Sequence, residues 1–316
     1  MTNHAPATKN MEIASRKLLP TLLLIALGVV CLFLWQQPDD NLRVVFCDVG
    51  QGDAVLLTRG DNQILVDGGE DEAVLTCLGR HMPFWDRCLE IVVLTHPEKD
   101  HFGGLASVIE RYQVNYFVKS PLAKENKLFN GLSDLVSNGK ITLINPWQGD
   151  KISFNGVNFL FLWPQKEWFF KKLSADKVSG ADLYQSKEIL VDQVLAPEAS
   201  WNDFSLVARV SFGNFDLLLT GDADSRIQPE ILATVSFSPV EVLKVAHHGS
   251  KYAFTDEFLE KAQPLLAVIS VGKNPWGHPH QILREQLEKE GLLIKRTDQD
   301  GDVVVVSNGQ RWWIEE

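Results

Sequence analysis

An apolar run, Ile91-Val92-Val93-Leu94, leads directly into Thr95-His96-Pro97-Glu98-Lys99-Asp100-His101-Phe102-Gly103-Gly104, and this junction restricts the fold more than any other stretch. A run of that length reads as a buried strand. The loop it feeds sets His96, Glu98, Asp100 and His101 on one tight turn, where nitrogen and carboxylate donors can converge on a metal ion. Two glycines let the backbone fold away behind them. For any one of these residues a solvated polar loop is the simpler reading. Four potential ligands within six positions favour metal binding.

The chain has 316 residues, 45% hydrophobic and 22% charged, which suits one large globular domain or two modest ones. A formal net charge of −11 argues against a broad basic surface for sequence-independent nucleic-acid binding. A polyanionic substrate would have to be held by metal and by local Lys or Arg.

Residues 18–35 carry no charge and as a helix would extend about 27 Å, enough for one membrane pass. Lys9, Arg16 and Lys17 precede the run while Asp39 and Asp40 follow it. The positive-inside rule therefore predicts a cytoplasmic N-terminus over 1–17, a transmembrane anchor over 18–35 and an extracytoplasmic domain over 42–316. A cleaved signal peptide is the competing reading, but Gln36-Gln37-Pro38-Asp39 offers no small-x-small cleavage site. Val29 and Val30 ahead of Cys31 do not make a lipobox. Four cysteines do not make a disulfide scaffold. Cys77 and Cys88 are the pair that a bridge outside the cytoplasm would join, and buried free thiols are the default.

Beyond the anchor, the runs 42–49, 54–58 and 62–66 are separated by Gly-containing turns and read as a meander of short strands. Asp67-Gly68-Gly69 ends the third, and a short helix is expected over Asp71 to Leu78. Further strands are expected at 141–144, 157–162, 205–210 and 215–219, with a helix around Leu283 to Glu290. Many short strands with interspersed helices predict two packed sheets covered outside by helices, an α/β sandwich. The polar, poorly periodic stretch from Lys166 to Ser200 is either a surface insertion or a lid over the site.

Three more pieces belong with the first loop. Leu217-Leu218-Leu219-Thr220-Gly221-Asp222 places a carboxylate at a strand's tip, where it could bridge two cations. Val242-Leu243-Lys244-Val245-Ala246-His247-His248-Gly249-Ser250 delivers adjacent histidines; on a strand these point oppositely, so one ligates at most unless the turn has already begun. Asn274-Pro275-Trp276-Gly277-His278-Pro279-His280 is a rigid turn, read either as structural or as touching substrate through His278.

These pieces, with Phe46-Cys47-Asp48-Val49-Gly50-Gln51-Gly52-Asp53-Ala54 and Val66-Asp67-Gly68-Gly69, occur in an order that resembles the metallo-β-lactamase-fold hydrolase domain of the competence DNA-uptake protein ComEC and its stand-alone relatives. The resemblance covers roughly residues 42 to 312. It implies a four-layer αββα sandwich with a two-metal site, filled by divalent Zn2+ or Mn2+, at one edge of the sheets. By carry-over His96 and Glu98 would serve the first metal, Asp100 and His101 the second, and Asp222 would bridge them. His248 would complete the second metal with His247 beside the reacting group, or the two would exchange places. Asp53 would orient the attacking water and His247 or His278 would stabilise the leaving oxygen; Asp100 is counted with these catalytic groups as well as with the ligands.

Two departures stand out. The family usually has Asp at the position of Glu98, and no histidine lies between His101 and His247, where the superfamily carries one. Asn202 or Asp203 is the expected stand-in.

The leading expectation is a membrane-anchored, extracytoplasmic phosphodiesterase or nuclease, working with a nucleic acid or another phosphodiester and beside a membrane channel partner. The alternatives are a hydrolase of carboxylic esters, lactones or amides, and a non-catalytic metal-binding or scaffold domain.

Overall fold

Strand pairing sets the architecture. The computed structural model of the chain describes residues 7–124, 126–172, 189–190 and 200–315, without the side chains of 7–17, Leu19, Trp35, Ala123, Ile189 and Leu190. The chain divides into residues up to Asp39 and residues Asp40–Glu316.

The first part is the helix α1, Ala7–Trp35. The expected membrane span falls within it. Among the described residues no helix is long and apolar enough to cross a membrane. Leu22, Leu23, Leu24, Ile25, Leu27, Val29 and Val30 along it are exposed.

In the second part, β1 (Leu42–Phe46), β2 (Val55–Arg59), β3 (Asn62–Val66), β4 (Cys88–Leu94), β5 (Gln113–Lys119), β7 (Thr142–Ile144), β16 (Val303–Ser307) and β17 (Trp312–Glu315) form one mixed sheet in the order β17-β16-β1-β2-β3-β4-β5-β7. The other mixed sheet runs β15-β14-β13-β12-β11-β9-β8, from β8 (Lys151–Phe154), β9 (Val157–Trp163), β11 (Val207–Phe212), β12 (Phe215–Leu219), β13 (Val242–Lys244), β14 (Leu266–Ile269) and β15 (Leu293–Arg296). A two-residue parallel pair joins β6 (Leu122–Ala123) to β10 (Ile189–Leu190). Each large sheet is antiparallel in one half and parallel in the other: β3, β4, β5 and β7 run parallel, as do β12, β13, β14 and β15.

Side-chain alternation explains the stacking. Ile91 and Val93 of β4 join Phe161, Val210, Leu217 and Val268 in a core between the sheets, whereas Val92 and Leu94 turn to the opposite face. There they meet the helices α2 (Ala73–His81), α4 (Leu105–Arg111) and α5 (Lys127–Asn138) through Val74, Leu78, Val108, Phe129 and Leu132. The short α3 (Lys99–Phe102) and α6 (Lys166–Lys172) lie between these elements in the chain. On the other sheet Leu218, Leu243 and Ala267 pack against α7 (Gln228–Thr234), α8 (Asp256–Ala262) and α9 (Gln281–Lys289) through Ile231, Phe258, Leu259, Leu283 and Leu287. The last helix, α10, covers Thr297–Asp300. The fold is α/β with two mixed sheets face to face and helices on both outer faces.

The expected strand at 205–210 starts later than its apolar pattern suggests. Ser200 and Asp203 form a reciprocal capping box over a short turn, and Leu206 N–H donates to Thr95 C=O at 2.9 Å, tying the two sheets together before β11 begins. Most of the expected insertion or lid, residues 173–188 and 191–199, lies outside the described residues.

The default of free thiols holds for Cys88 but not for Cys77, which is bonded to Cys47 with Cα atoms 5.8 Å apart, so the alternative Cys77–Cys88 pairing does not form. Cys47 at the end of β1 and Cys77 on the buried face of α2 share the helix-side core. Cys88 starts β4 opposite Gln113, and its sulfur accepts from the Asn115 amide instead. Closing a loop 30 residues long restricts the unfolded chain by about 3 to 4 kcal/mol in the loop-entropy account. Replacing both Cys47 and Cys77 by Ala therefore lowers the denaturant midpoint; an unchanged midpoint would show that the bridge adds nothing.

Candidate metal centre

Loops at the carboxyl ends of β3, β4, β12, β13 and β14 meet at one edge of the two sheets, where open α/β sheets place their ligands. Asp67 organises the first of them. It follows β3 with φ 59°, and its two oxygens accept from Thr95 N–H at 2.8 Å, Thr95 Oγ1 at 2.7 Å and His101 Nδ1 at 2.9 Å. One carboxylate thus fixes both the start of the His96 loop and the ring of His101. Gly52 closes over the same loop: its φ is +118°, and a Cβ there would overlap the Asp100 carbonyl.

Three imidazoles point their Nε2 atoms inward. His96, His101 and His248 are buried, and their Nε2 atoms, like Asp222 Oδ1, have no hydrogen-bond partner. Their rear nitrogens are all engaged. His101 Nδ1 faces Asp67, His248 Nδ1 faces Ser270 C=O at 3.1 Å, and His96 Nδ1 faces Thr95 Oγ1 at 3.1 Å. The Thr95 hydroxyl already gives its proton to Asp67, so His96 Nδ1 must be the donor in that contact. Each ring therefore keeps a proton at the rear and has a nitrogen free for a cation in front, as ligating histidines do.

The spacing fits a cation. His101 Nε2 is 3.4 Å from Asp222 Oδ1, and His248 Nε2 is 3.2 Å from Asp100 Oδ2 and 3.6 Å from Asp222 Oδ2. Donors about 2.0–2.1 Å from a tetrahedral centre sit roughly 3.3 Å apart. Asp100, His101 and His248 make one compact three-donor group, and His96, His101 and Asp222 make another that shares His101. His96 Nε2 is 3.9 Å from Asp222 Oδ2, and Glu98 Oε2 lies 4.0 Å from the same ring nitrogen. The expected stand-in for the missing histidine is otherwise occupied. Asp203 caps its own turn, and the Asn202 amide lies 3.3 Å from the ring nitrogens of His247.

The adjacent histidines take different parts because the turn has begun. His247 and His248 have φ of 50° and 51°, left-handed values that non-glycine residues adopt at a cost of about 1–3 kcal/mol each. This geometry sends His248 into the centre and leaves His247 partly exposed in the cleft, with Nδ1 3.3 Å from Asp224 Oδ2. His278 faces His247 at 5.7 Å between ring centroids and lines the same cleft of about 520 Å³, with Glu98, Asp222, Lys124 and Trp276.

Asp53 is not placed where a water-orienting group would stand. It is buried behind His101 and His248 and paired with Lys244. Asp67 and Lys244 received no role from the sequence. Asp-Gly-Gly is a common turn, and the signal for Lys244 is a lone charge inside an apolar strand.

Charges balance internally in the metal-free centre. His248 is held up to about 9: burial opposes its charge, but Asp222 and Asp53 outweigh burial. His101 is raised well above its ordinary value against burial by Asp222 and Asp67. His96 falls to about 3, because burial and the charge on His101 both oppose protonation. Burial, with Asp100 and Asp222 nearby, raises the Glu98 carboxyl. His278 falls to about 4 through burial and the neighbouring His247 and His248.

Metal must displace the front protons of His101 and His248. A raised folded-state pKa stabilises the metal-free protein fully below the unfolded value of about 6.5 and is lost as pH passes the folded value. Chelator-treated protein is therefore expected to melt lower at pH 9 than at pH 6.5, while its metal affinity rises over that window; a flat profile for both would contradict this charge assignment. Gly52→Ala is expected to cost more than about 1 kcal/mol and to weaken metal retention by displacing Asp100, read by thermal melting and metal content. Wild-type values for both would remove the packing argument.

No family model matches the chain. ComE operon protein 3 of Bacillus subtilis is 26% identical over 89% of this chain and 36% of its own length. Recombination protein 2 of Haemophilus influenzae is 26% identical over 89% of this chain and 31% of its own. Competence protein ComA of Neisseria gonorrhoeae is 26% identical over 89% and 35%. The chain spans about a third of the length of these curated relatives. Among solved structures, the metallo-β-lactamase fold protein YhfI from Bacillus subtilis superposes with a TM-score of 0.53 at 13% identity, covering 84% of this chain and 100% of that one. The chain therefore has the metallo-β-lactamase fold and is related to ComE operon protein 3, ComA and Recombination protein 2.

Proposed function

We propose that the chain is a metal-dependent hydrolase that cleaves phosphodiesters in a nucleic acid or a related polymer, using two divalent cations. The observation that carries this reading is the set of buried Nε2 and Oδ1 atoms of His96, His101, His248 and Asp222 that have no hydrogen-bond partner, with His248 and Asp222 lining an open cleft. Cations bound there supply Lewis acidity and a water of lowered pKa. Asp100, His101, Asp222 and His248 would hold one cation, and His96, Glu98 and Asp222 the other.

The remaining residues bind and orient. His247, steadied by Asp224, reaches the cleft beside Asp222 and can hold the leaving oxygen. His278 is neutral near pH 7 and can donate a hydrogen bond there from an uncharged ring. Lys124 offers a positive charge to a phosphate, and Trp276, 62% exposed at the cleft, offers a flat face to an aromatic group. The acidic balance of the rest of the chain leaves such local contacts to supply the affinity.

The same reading takes residues 18–35 as a membrane anchor and the remainder as extracytoplasmic. Support comes from the exposed apolar side chains along α1 and from the buried Cys47–Cys77 bridge, a bond favoured in oxidising compartments. The names of the relatives support a place in competence, where a membrane channel would be the partner.

Hydrolysis of bis(p-nitrophenyl) phosphate and of p-nitrophenyl acetate, assayed with metal content on one sample, tests the reaction class. Metal-dependent turnover of the phosphodiester is expected, with Asp222→Asn lowering both metal content and turnover. Turnover of the acetate alone would move the assignment to carboxylic esters. Bound metal with no turnover of either would leave a binding domain.

A further inference from the structure

Lys244 is buried at 1% exposure on β13, a strand otherwise made of apolar side chains. Its ammonium pairs with Asp53 and donates to the carbonyl of Gly221 at 3.2 Å, the residue before Asp222. Asp53 is equally enclosed. Its N–H donates to Asp100 C=O at 3.1 Å, and its C=O accepts from Gly69 N–H at 2.8 Å. Through these contacts the pair touches the loops that carry Asp67, Asp100 and Asp222.

The carboxylate of Asp53 lies behind two of the inward-pointing rings, with Oδ1 3.3 Å from His248 Nδ1 and Oδ2 3.7 Å from His101 Nδ1. Asp53 Oδ1 has no hydrogen-bond partner of its own. We propose that Asp53 and Lys244 are positioning residues of the metal centre: Asp53 places a fixed negative charge behind His101 and His248, and Lys244 keeps that charge in the interior.

A negative group at the rear of an imidazole strengthens the front nitrogen as a donor and holds the ring's direction. A buried carboxylate without a cation is costly, so an acid placed there for its field needs a counter-ion built into the fold. Lys244 comes from the opposite sheet to Asp53, so the pair also fixes the distance between the Asp100 loop and the Asp222 turn. A pair that served stability alone would be replaceable by neutral groups of similar shape without changing how the centre binds metal.

That difference gives the test, which uses the full chain and reads Zn2+ affinity by chelator competition alongside the melting temperature of the metal-free protein. Lys244→Met leaves Asp53 buried and uncompensated, and is expected to melt lower. The double variant Asp53→Asn with Lys244→Met removes both charges; it is expected to regain most of the lost melting temperature yet to bind Zn2+ about 10- to 100-fold more weakly than wild type. Asp53→Asn alone keeps the shape of the side chain and is expected to show the same loss of affinity, so the question is decided even if the double variant does not fold. Wild-type Zn2+ affinity in Asp53→Asn, or in a folded double variant, would overturn the proposal.

Discussion

Three imidazole nitrogens and a carboxylate oxygen, buried and facing one another without partners, are the constraint on which the rest of the structure depends. Burying one unsatisfied polar atom costs about 1–3 kcal/mol, and a cluster of four survives only where something outside the polypeptide satisfies it or where its charges balance internally. In the metal-free protein they balance internally, with protons on His101 and His248 set against Asp222, Asp67 and Asp53. A divalent cation satisfies the same donors with fewer protons. Metal bound at this cluster would therefore be coupled to the folding of the edge, because the side chains that bring the loops together also present the donors.

The scaffold meets this demand by keeping the site at the parallel halves of both sheets. Strands β3 and β4 on one side and β12 and β13 on the other all end at the same edge, so each supplies a loop without a long excursion. Asp67 spans β3 and the His96 loop, Leu206 links the sheets through Thr95, and Lys244 reaches across to Asp53. Backbone strain is concentrated where direction matters most: His247 and His248 both take left-handed conformations, so neighbours in sequence separate into a ring in the centre and a ring in the cleft.

Much of this was legible in the sequence because burial leaves a period. The runs 62–66, 91–94, 157–162 and 215–219 are strands within a few residues of their apolar limits, and the cluster His96 to His101 announced the site by its density. What stayed hidden depends on contacts far apart in the chain. Cys47 and Cys77 are 30 residues apart, and no local pattern separates that pairing from one with Cys88 or from free thiols. Asp53 resembled a cleft residue because a Gly-rich loop carries it, yet packing turns it behind the rings. Strand alternation made one of two histidines the ligand without saying which, since the deciding variable is the sign of φ at both.

The most direct test of the account is anomalous diffraction from crystals equilibrated with Zn2+ or Mn2+, recorded at the absorption edge of the metal. A peak is expected about 2.0–2.2 Å from His101 Nε2, His248 Nε2 and carboxylate oxygens of Asp100 and Asp222, with a second peak, where present, nearer His96 and Glu98. An ordered edge of the sheets with no peak among these side chains would contradict it.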